Sequence, residues 1–192
     1  MADFNTRDPL SPAFWDERFE KQFTPWDHGG VPSRLRSFVA GSPAPLRCLI
    51  PGCGSAYELV FMLDHGWDAT AIDFSPAAVA AARAVVGARA GQVVQADFFA
   101  WQPAAPLDLI YERAFLCAMP RAMWPQVAAR WAQLLAPGAM LAGYFSLTTM
   151  PRDRRSVCRV SNCRPCWRRI STAWPMRPSM IPSPSSRARS AG

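Results

Sequence analysis

The fold of this chain is decided by residues 46–59, which read L-R-C-L-I-P-G-C-G-S-A-Y-E-L. A short apolar run leads into a turn that carries glycines at positions 52 and 54, and a helix-forming segment follows. Residues 67–75, W-D-A-T-A-I-D-F-S, supply a second apolar run that ends at Asp73. A strand, a glycine turn, a helix and a second strand with a carboxylate at its end are typical of a mononucleotide-binding half.

The turn predicts a nucleoside ligand. Gly52 and Gly54 can adopt a positive φ and carry no Cβ, so a ligand can lie against their backbone. Asp73 follows roughly 20 residues later, where a carboxylate accepts hydrogen bonds from a ribose. Tyr57 replaces the third glycine of a dinucleotide motif, and no phosphate-binding lysine follows, which disfavours NAD and ATP and favours S-adenosylmethionine. The alternative is a tight strand-to-helix turn without a ligand.

Length and charge divide the chain into two parts. The 192 residues are enough for one domain, and the net charge is +7. Residues 1–150 contain 11 basic and 13 acidic side chains, whereas residues 151–192 contain 10 arginines and one aspartate. We therefore predict a folded domain over residues 1–146 and a basic tail rich in Arg, Pro and Ser over residues 147–192.

No apolar run reaches the roughly 20 residues of a membrane span, and residues 1–8 lack the features of a secretory signal. A cytoplasmic, monomeric protein is expected. Cys48, Cys53 and Cys117 are then expected to be buried thiols without a function of their own.

Helical and strand periodicities alternate along the domain. We predict helices over residues 12–23, 31–40, 58–65, 76–89 and 120–135, and further strands over 92–96, 107–111 and 139–145. Ser11 and Ser75 precede prolines as N-caps, and Gly66 ends the third helix. This is the pattern of an α/β protein with a doubly wound, mostly parallel sheet in the order 3-2-1-4-5. Its ligand would lie at the carboxyl ends of the strands, where Gly52, Asp73, Asp97 and Arg113 fall.

Three segments carry a resemblance to a known family. They are F-W-D-E-R-F at 14–19 with T-P-W-D at 24–27, P-G-C-G at 51–54 with I-D-F-S at 72–75, and D-F-F at 97–99 with D-L-I-Y-E-R-A at 108–114. With these motifs the chain resembles the thiopurine S-methyltransferase family of class I S-adenosylmethionine-dependent methyltransferases, which includes thiol and halide methyltransferases. The resemblance covers roughly residues 10–146.

The resemblance implies a role for each matching residue. Gly52 and Gly54 would approach the methionine part of the cofactor, and Asp73, followed by Phe74, would bind the ribose. Asp97 and Phe98 would flank the adenine, and Trp15 and Trp26 would cover the cofactor and exclude water. Arg113 would lie beside the reacting centre as a positioning group. The cofactor-binding set is thus Trp15, Trp26, Gly52, Gly54, Asp73, Phe74, Asp97, Phe98 and Arg113.

Several of these residues also have an interpretation that involves no ligand. Trp26 could pack on the core instead of closing over a ligand, and Arg113 could be a surface arginine paired with Glu112. Transfer to an anionic acceptor needs no general base, and none is assigned. His65 is expected at a helix end, and His28 is at best a candidate for the rim of the pocket.

The tail from about residue 146 has three possible explanations. A basic disordered arm could bind nucleic acid. A metal site could use Cys158, Cys163 and Cys166, but this set lacks a fourth ligand, and we predict no metal. A shifted reading frame is the third: the shifted codons permit R-P-P-F-G near residues 153–157 and V-P-V-F-A-G within 181–192, both similar to the carboxyl end of the same family.

Two functions therefore compete. The first is an S-adenosylmethionine-dependent methyltransferase acting on a small thiol, thiopurine, halide or related chalcogen species, impaired by loss of its native carboxyl-terminal strands. A tail rich in proline and arginine is not expected to replace those strands, which would leave the outer edge of the fifth strand open. The second is a nucleic-acid-binding protein whose methyltransferase-like body carries a basic arm. The acidic balance of residues 1–150 offers no basic surface next to the arm, which makes nucleic-acid binding the weaker hypothesis.

Overall fold

The computed structural model describes residues 3–145 and 164–169. Its helices are α1 (Pro12–Glu20), α2 (Ser33–Ala40), α3 (Tyr57–Asp64), α4 (Pro76–Val86), α5 (Phe115–Ala118) and α6 (Trp124–Leu134), with 3₁₀ turns at Gly87–Gln92 and Arg121–Met123. Its strands are β1 (Arg47–Pro51), β2 (Asp68–Asp73), β3 (Val93–Gln95), β4 (Leu107–Arg113), β5 (Leu135–Phe145) and β6 (Arg164–Arg169).

The strands form one sheet in the order β3-β2-β1-β4-β5-β6. β1 to β5 are mutually parallel, and β6 runs antiparallel to β5. The predicted α/β fold with a doubly wound, mostly parallel sheet is therefore confirmed, including the order 3-2-1-4-5.

Alternate residues of the strands point to opposite faces of the sheet. Cys48 and Ile50 of β1 belong to one buried cluster with residues of α2, α3 and α4, whereas Leu49 belongs to a second cluster with residues of α6. Both faces are thus covered, which explains why the central strands are almost continuously apolar. None of the helices in this described part of the chain combines the length and apolar character needed to cross a bilayer.

Several predicted boundaries shift for local reasons. Helix α1 ends at Glu20 instead of 23, because Gln22 adopts a left-handed φ of 51°. The helix predicted over 120–135 is divided: a 3₁₀ turn precedes α6, whose Pro125 has no N–H to donate and lies in the first turn. Ser75 caps α4 as predicted, accepting from the Ala78 N–H at 3.1 Å, and Gly66 follows the end of α3 with a φ of 75°.

The outer edge of β5 differs from expectation. We expected the arginine- and proline-rich tail to supply no strand and to leave this edge open, which is wrong for residues 164–169: β6 pairs with β5 from Met140↔Arg169 to Phe145↔Arg164. Among the described strands β6 is the edge strand of the sheet, where Pro165 is tolerated. The rest of the predicted tail, including Cys158 and Cys163, lies outside the described residues.

Candidate active site

A cavity of about 820 Å³ opens at the carboxyl ends of the parallel strands. Its volume is within the range of small-molecule sites. The structure brings all nine predicted cofactor-binding residues into its wall, although they come from segments up to 98 positions apart. They are Trp15, Trp26, Gly52, Gly54, Asp73, Phe74, Asp97, Phe98 and Arg113.

The glycine turn after β1 has the predicted left-handed backbone. Gly52 has a φ of 57° and Gly54 a φ of 51°. A Cβ on Gly52 would lie 2.6 Å from Cδ2 of Phe115, so a side chain there is excluded both by φ and by contact. At Gly54 the nearest atom to such a Cβ is Cζ of Phe19 at 3.8 Å. The turn is therefore packed on one side and faces the cavity on the other.

Asp73 ends β2 beside this turn. Its Oδ2 accepts from the Gly54 N–H at 3.4 Å, and its Oδ1 accepts from the Ser75 N–H at 3.0 Å. The residue is only 8 % exposed, and burial raises the pKa of the carboxyl to about 6 despite these donors. Each carboxylate oxygen can accept further hydrogen bonds, so Asp73 is able to receive donors from a ligand in the cavity.

The loop that follows β3 contributes Asp97 and Phe98. Asp97 is exposed at the mouth of the cavity, and its Oδ1 accepts from the Phe99 N–H at 2.9 Å. Phe98 is buried, with its ring centroid 5.0 Å from that of Phe115 and 5.3 Å from that of Phe99. Phe74 is half-buried. This side of the cavity therefore combines one exposed carboxylate with a cluster of packed phenylalanine rings.

Aromatic rings from the amino-terminal segment form another wall of the cavity, which we call the aromatic wall. Trp15 and Trp26 lie edge to face with centroids 5.5 Å apart, and Phe19 packs against Trp26 at 6.2 Å. The Trp15 Nε1–H donates to the Pro9 carbonyl at 2.8 Å. Trp26 thus packs on the rings of Trp15 and Phe19 and lines the cavity, and its closure over a ligand stays a prediction.

Two carboxylates fasten this segment to the glycine turn and to α4. Oδ1 of Asp16 accepts from the Ser75 hydroxyl at 2.6 Å and from the Ala77 N–H at 3.0 Å. Oδ2 of Asp27 accepts from the Ser55 hydroxyl. The three bonds end in the loop after β1, in the loop after β2 and in the first turn of α4, so the position of the amino-terminal segment depends on these elements.

Arg113 has a different partner from the one considered. The Arg113 Nη1–H donates to Oε1 of Glu58 and, at 3.2 Å, to the Gly30 carbonyl. The two charged side chains are 16 % and 5 % exposed, and both belong to the interior. The alternative of a surface arginine paired with Glu112 is therefore wrong: the ion pair joins β4, α3 and the loop at Gly30.

Glu112 lies on the other side of β4 from Arg113. It is 1 % exposed; its Oε1 accepts from the Leu116 N–H at 2.7 Å, and its Oε2 has no hydrogen-bond partner among the described residues. Burial raises the pKa of this carboxyl to about 8. By holding the start of α5, Glu112 fixes the segment whose Phe115 ring packs against the glycine turn.

The histidines and cysteines have minor places. His28 is exposed and does not line the cavity, so its candidate place at the rim is wrong; His65 lies at the end of α3, as expected, with Nδ1 2.8 Å from the Phe61 carbonyl. Cys48 and Cys53 are buried thiols, as predicted, and burial raises their pKa values. Cys117 is half-buried in the wall of the cavity.

Asp16, Asp27, Glu58 and Glu112 were not predicted as functional residues. Asp16, Asp27 and Glu112 lie within the motifs F-W-D-E-R-F, T-P-W-D and D-L-I-Y-E-R-A, and only this position in a motif could have marked them. The partners of Asp16 and Asp27 in the loops and in α4 are 28 to 61 positions away, and helix or strand spacing carries no information at that range.

The fold is shared with methyltransferases of known structure. The crystal structure of Burkholderia thailandensis 1,6-didemethyltoxoflavin-N1-methyltransferase, with bound 1,6-didemethyltoxoflavin and S-adenosylhomocysteine, matches with a TM-score of 0.60 at 17% identity. The match covers 78% of this chain and 69% of that chain. The sheet order and this match thus define a Rossmann-like α/β fold.

Sequence comparison identifies the family. The thiopurine S-methyltransferase (TPMT) family model matches residues 10–151, and the chain belongs to this family. It is 34% identical over 148 residues to a probable thiol methyltransferase 2 of Arabidopsis thaliana, covering 74% of this chain and 63% of that protein. It is 33% identical over 140 residues to thiocyanate methyltransferase 1 of the same plant, covering 70% and 62%. The chain therefore spans less than two thirds of the length of these relatives.

Proposed function

We propose that this chain is an S-adenosylmethionine-dependent methyltransferase whose acceptor is a small thiol, thiopurine, halide or related chalcogen species. The observation that carries the proposal is the pairing of a left-handed glycine turn with the buried carboxylate of Asp73 at one end of an 820 Å³ cavity. Membership of the thiopurine S-methyltransferase family supports it independently.

The residues present fit the cofactor. The Gly54 backbone leaves space where a Cβ would meet no atom closer than 3.8 Å, so the methionine part can lie against the turn. Asp73 would accept hydrogen bonds from the ribose hydroxyls, with Phe74 beside it. Asp97 and Phe98 would flank the adenine, and Trp15 would cover the cofactor together with Trp26.

Positioning and exclusion of water are the contributions expected of the protein. When bound, the cofactor supplies a methyl group that is already electrophilic, and an acceptor that is already anionic needs no general base. The aromatic wall would keep water out, and the Arg113–Glu58 ion pair would hold the loop at Gly30 in place. Correct placement of two reactants contributes up to roughly 7–11 kcal/mol in favourable models.

Calorimetry and product analysis test the proposal. We expect S-adenosylhomocysteine to bind with a stoichiometry of one and NAD to show no binding. Mass spectrometry should then detect methylated products from a panel of a thiol, a thiopurine, thiocyanate and iodide. Binding of NAD in preference to S-adenosylhomocysteine would contradict the assignment of the cavity.

The proposal also covers the cellular location of the protein, its oligomeric state and the origin of its tail. We expect a cytoplasmic monomer, to be tested by cell fractionation and light scattering. Nucleic-acid binding remains the weaker hypothesis, because the excess arginines all lie beyond residue 150. We retain a shifted reading frame as the origin of residues 147–192.

A further inference from the structure

Three arginines line the cavity, and their charges are compensated to different degrees. Arg113 is paired with Glu58, so its charge is matched inside the protein. Arg7 is exposed to solvent. Arg18, on α1, is half-buried, and no carboxylate of the described residues lies within 4 Å of its guanidinium.

The surroundings of Arg18 are aromatic. Its Cζ lies 3.3 Å from the ring centroid of Phe14 and 4.4 Å from that of Phe4, and its Nη1–H donates to the Phe14 carbonyl at 2.6 Å. A guanidinium has five N–H donors, so four remain for other partners. Desolvation lowers the pKa of Arg18, but an arginine stays protonated in a protein, and the charge is therefore retained.

The neighbouring carboxylate of Glu17 is already engaged. Both of its oxygens accept from the Asn5 N–H at 2.9 and 3.0 Å, and Thr6 and Lys21 also donate to it. Glu17 thus fastens the amino-terminal residues to α1 and does not form an ion pair with Arg18. A half-buried cation in the wall of a ligand cavity without a paired carboxylate is suited to an anionic ligand.

We propose that Arg18 is a specificity-determining residue that favours the ionised form of the methyl acceptor. The inference rests on the proposed function and assigns the selection of charge to Arg18, because the charge of Arg113 is compensated by Glu58. An acceptor that is permanently anionic would be held by the guanidinium, and a thiol acceptor would be favoured as its thiolate, since a nearby arginine lowers a thiol pKa.

The proton balance explains why this selection matters. An anionic acceptor would form its bond to the methyl carbon while the carbon–sulfur bond of the cofactor breaks. The bonding pair would remain on the sulfur of the cofactor, so no proton would be released. A neutral thiol would also have to lose a proton. The described part of the cavity wall contains no histidine, and stabilising the anion beforehand avoids the need for a base there.

A charged and a neutral acceptor of similar size provide the test. Thiocyanate and thiourea each present a nucleophilic sulfur on a single carbon, but only thiocyanate is charged. In Arg18→Gln we expect kcat/KM for thiocyanate to fall about tenfold or more, the size of a lost charged hydrogen bond, while that for thiourea stays within about twofold. Arg18→Lys, which keeps the charge, should retain most of the thiocyanate activity.

An equilibrium measurement gives a readout that does not depend on turnover. Thiocyanate is titrated into the full-length protein saturated with S-adenosylhomocysteine, and Arg18→Gln should weaken its binding by a similar factor. The matched control is Arg36→Gln, which removes an exposed guanidinium 5.0 Å from the Phe61 ring and outside the cavity wall. It should leave both acceptors unaffected.

Each outcome has one interpretation. Equal losses for thiocyanate and thiourea in Arg18→Gln, or thiocyanate binding that Arg18→Gln leaves unchanged, would overturn the role of Arg18 in charge selection. A wild-type protein that binds S-adenosylhomocysteine but not thiocyanate would also overturn it. A wild-type protein that does not bind S-adenosylhomocysteine would instead overturn the proposed function, whereas unchanged S-adenosylhomocysteine affinity in Arg18→Gln shows that the variant is folded.

Discussion

Asp73→Asn is the substitution that most directly probes the cofactor site. The side chain keeps its size but loses its charge and one acceptor oxygen. Hydrogen bonds to a charged group contribute about 1.5–3 kcal/mol, so loss of the bonds to the ribose should weaken S-adenosylhomocysteine about 10- to 150-fold. Calorimetry measures this directly, and an affinity within twofold of wild type would show that Asp73 does not contact the ligand.

Folding has to be separated from binding in this experiment. Asp73 also accepts from the Gly54 and Ser75 N–H groups, so the melting temperature of Asp73→Asn has to be measured together with its cofactor affinity. The matched control is Asp68→Asn, at the other end of β2, where the side chain is 63% exposed and pairs with Arg47. It should change neither the cofactor affinity nor, beyond a small amount, the stability.

The pH dependence gives Asp73 a second signature. Its folded pKa of about 6 lies above the ordinary aspartate value of 3.8, so the folded state binds the proton more tightly. The free energy of unfolding should therefore decrease as the pH rises from about 4 to 6, by about 3 kcal/mol at ~1.4 kcal/mol per pH unit. Cofactor affinity should show the opposite trend and fall below about pH 6, because hydroxyl donors favour the ionised carboxylate. Both trends should disappear in Asp73→Asn.

Three further predictions concern the scaffold. Gly52→Ala should destabilise the protein by more than the ~1–2 kcal/mol of a left-handed φ, because its Cβ meets Phe115, whereas Gly66→Ala, with nothing within 4 Å, should lose only that amount in thermal unfolding. Glu112 has a folded pKa of about 8 against 4.5, so stability should decline as the pH rises through this range, and Glu112→Gln should flatten that slope in a melting series. Restoring the reading frame by one base near the codons for residues 146–150 should raise soluble yield, melting temperature and methyl transfer; a restored chain that equals the present one in all three would refute the shifted frame.

The residues that line the cavity could be predicted from the sequence, but the bonds between them could not. The glycine turn, Asp73 and Arg113 were predictable because parallel strands bring their carboxyl ends to one edge of a sheet. The partner of Arg113 was not predictable. Glu112 is its neighbour in sequence, but successive residues of a strand point to opposite faces of the sheet. The actual partner, Glu58, lies on helix α3.

The tail shows the limit of composition as a guide. Many prolines and arginines argue against a central strand, and this argument is sound for a strand with two neighbours. Residues 164–169 pair with one neighbour, because they form the edge of the sheet in the part of the chain that the structure describes. Likewise, Pro125 lies within a periodic helical segment but marks the first turn of α6, which apolar spacing alone does not reveal.

The fastening of the amino-terminal segment by Asp16 and Asp27 has a consequence for the order of folding. These bonds span 28, 59 and 61 positions, so the loops that they close cost conformational entropy before any bond is gained. During synthesis, residues 3–28 leave the ribosome before the loops at Ser55 and Ser75, so these three bonds cannot form until those loops have formed. The aromatic wall should therefore form last and unfold first. In hydrogen exchange it should behave as a separate unit with a low free energy of opening. A ligand in the cavity would then act as the template that completes the domain.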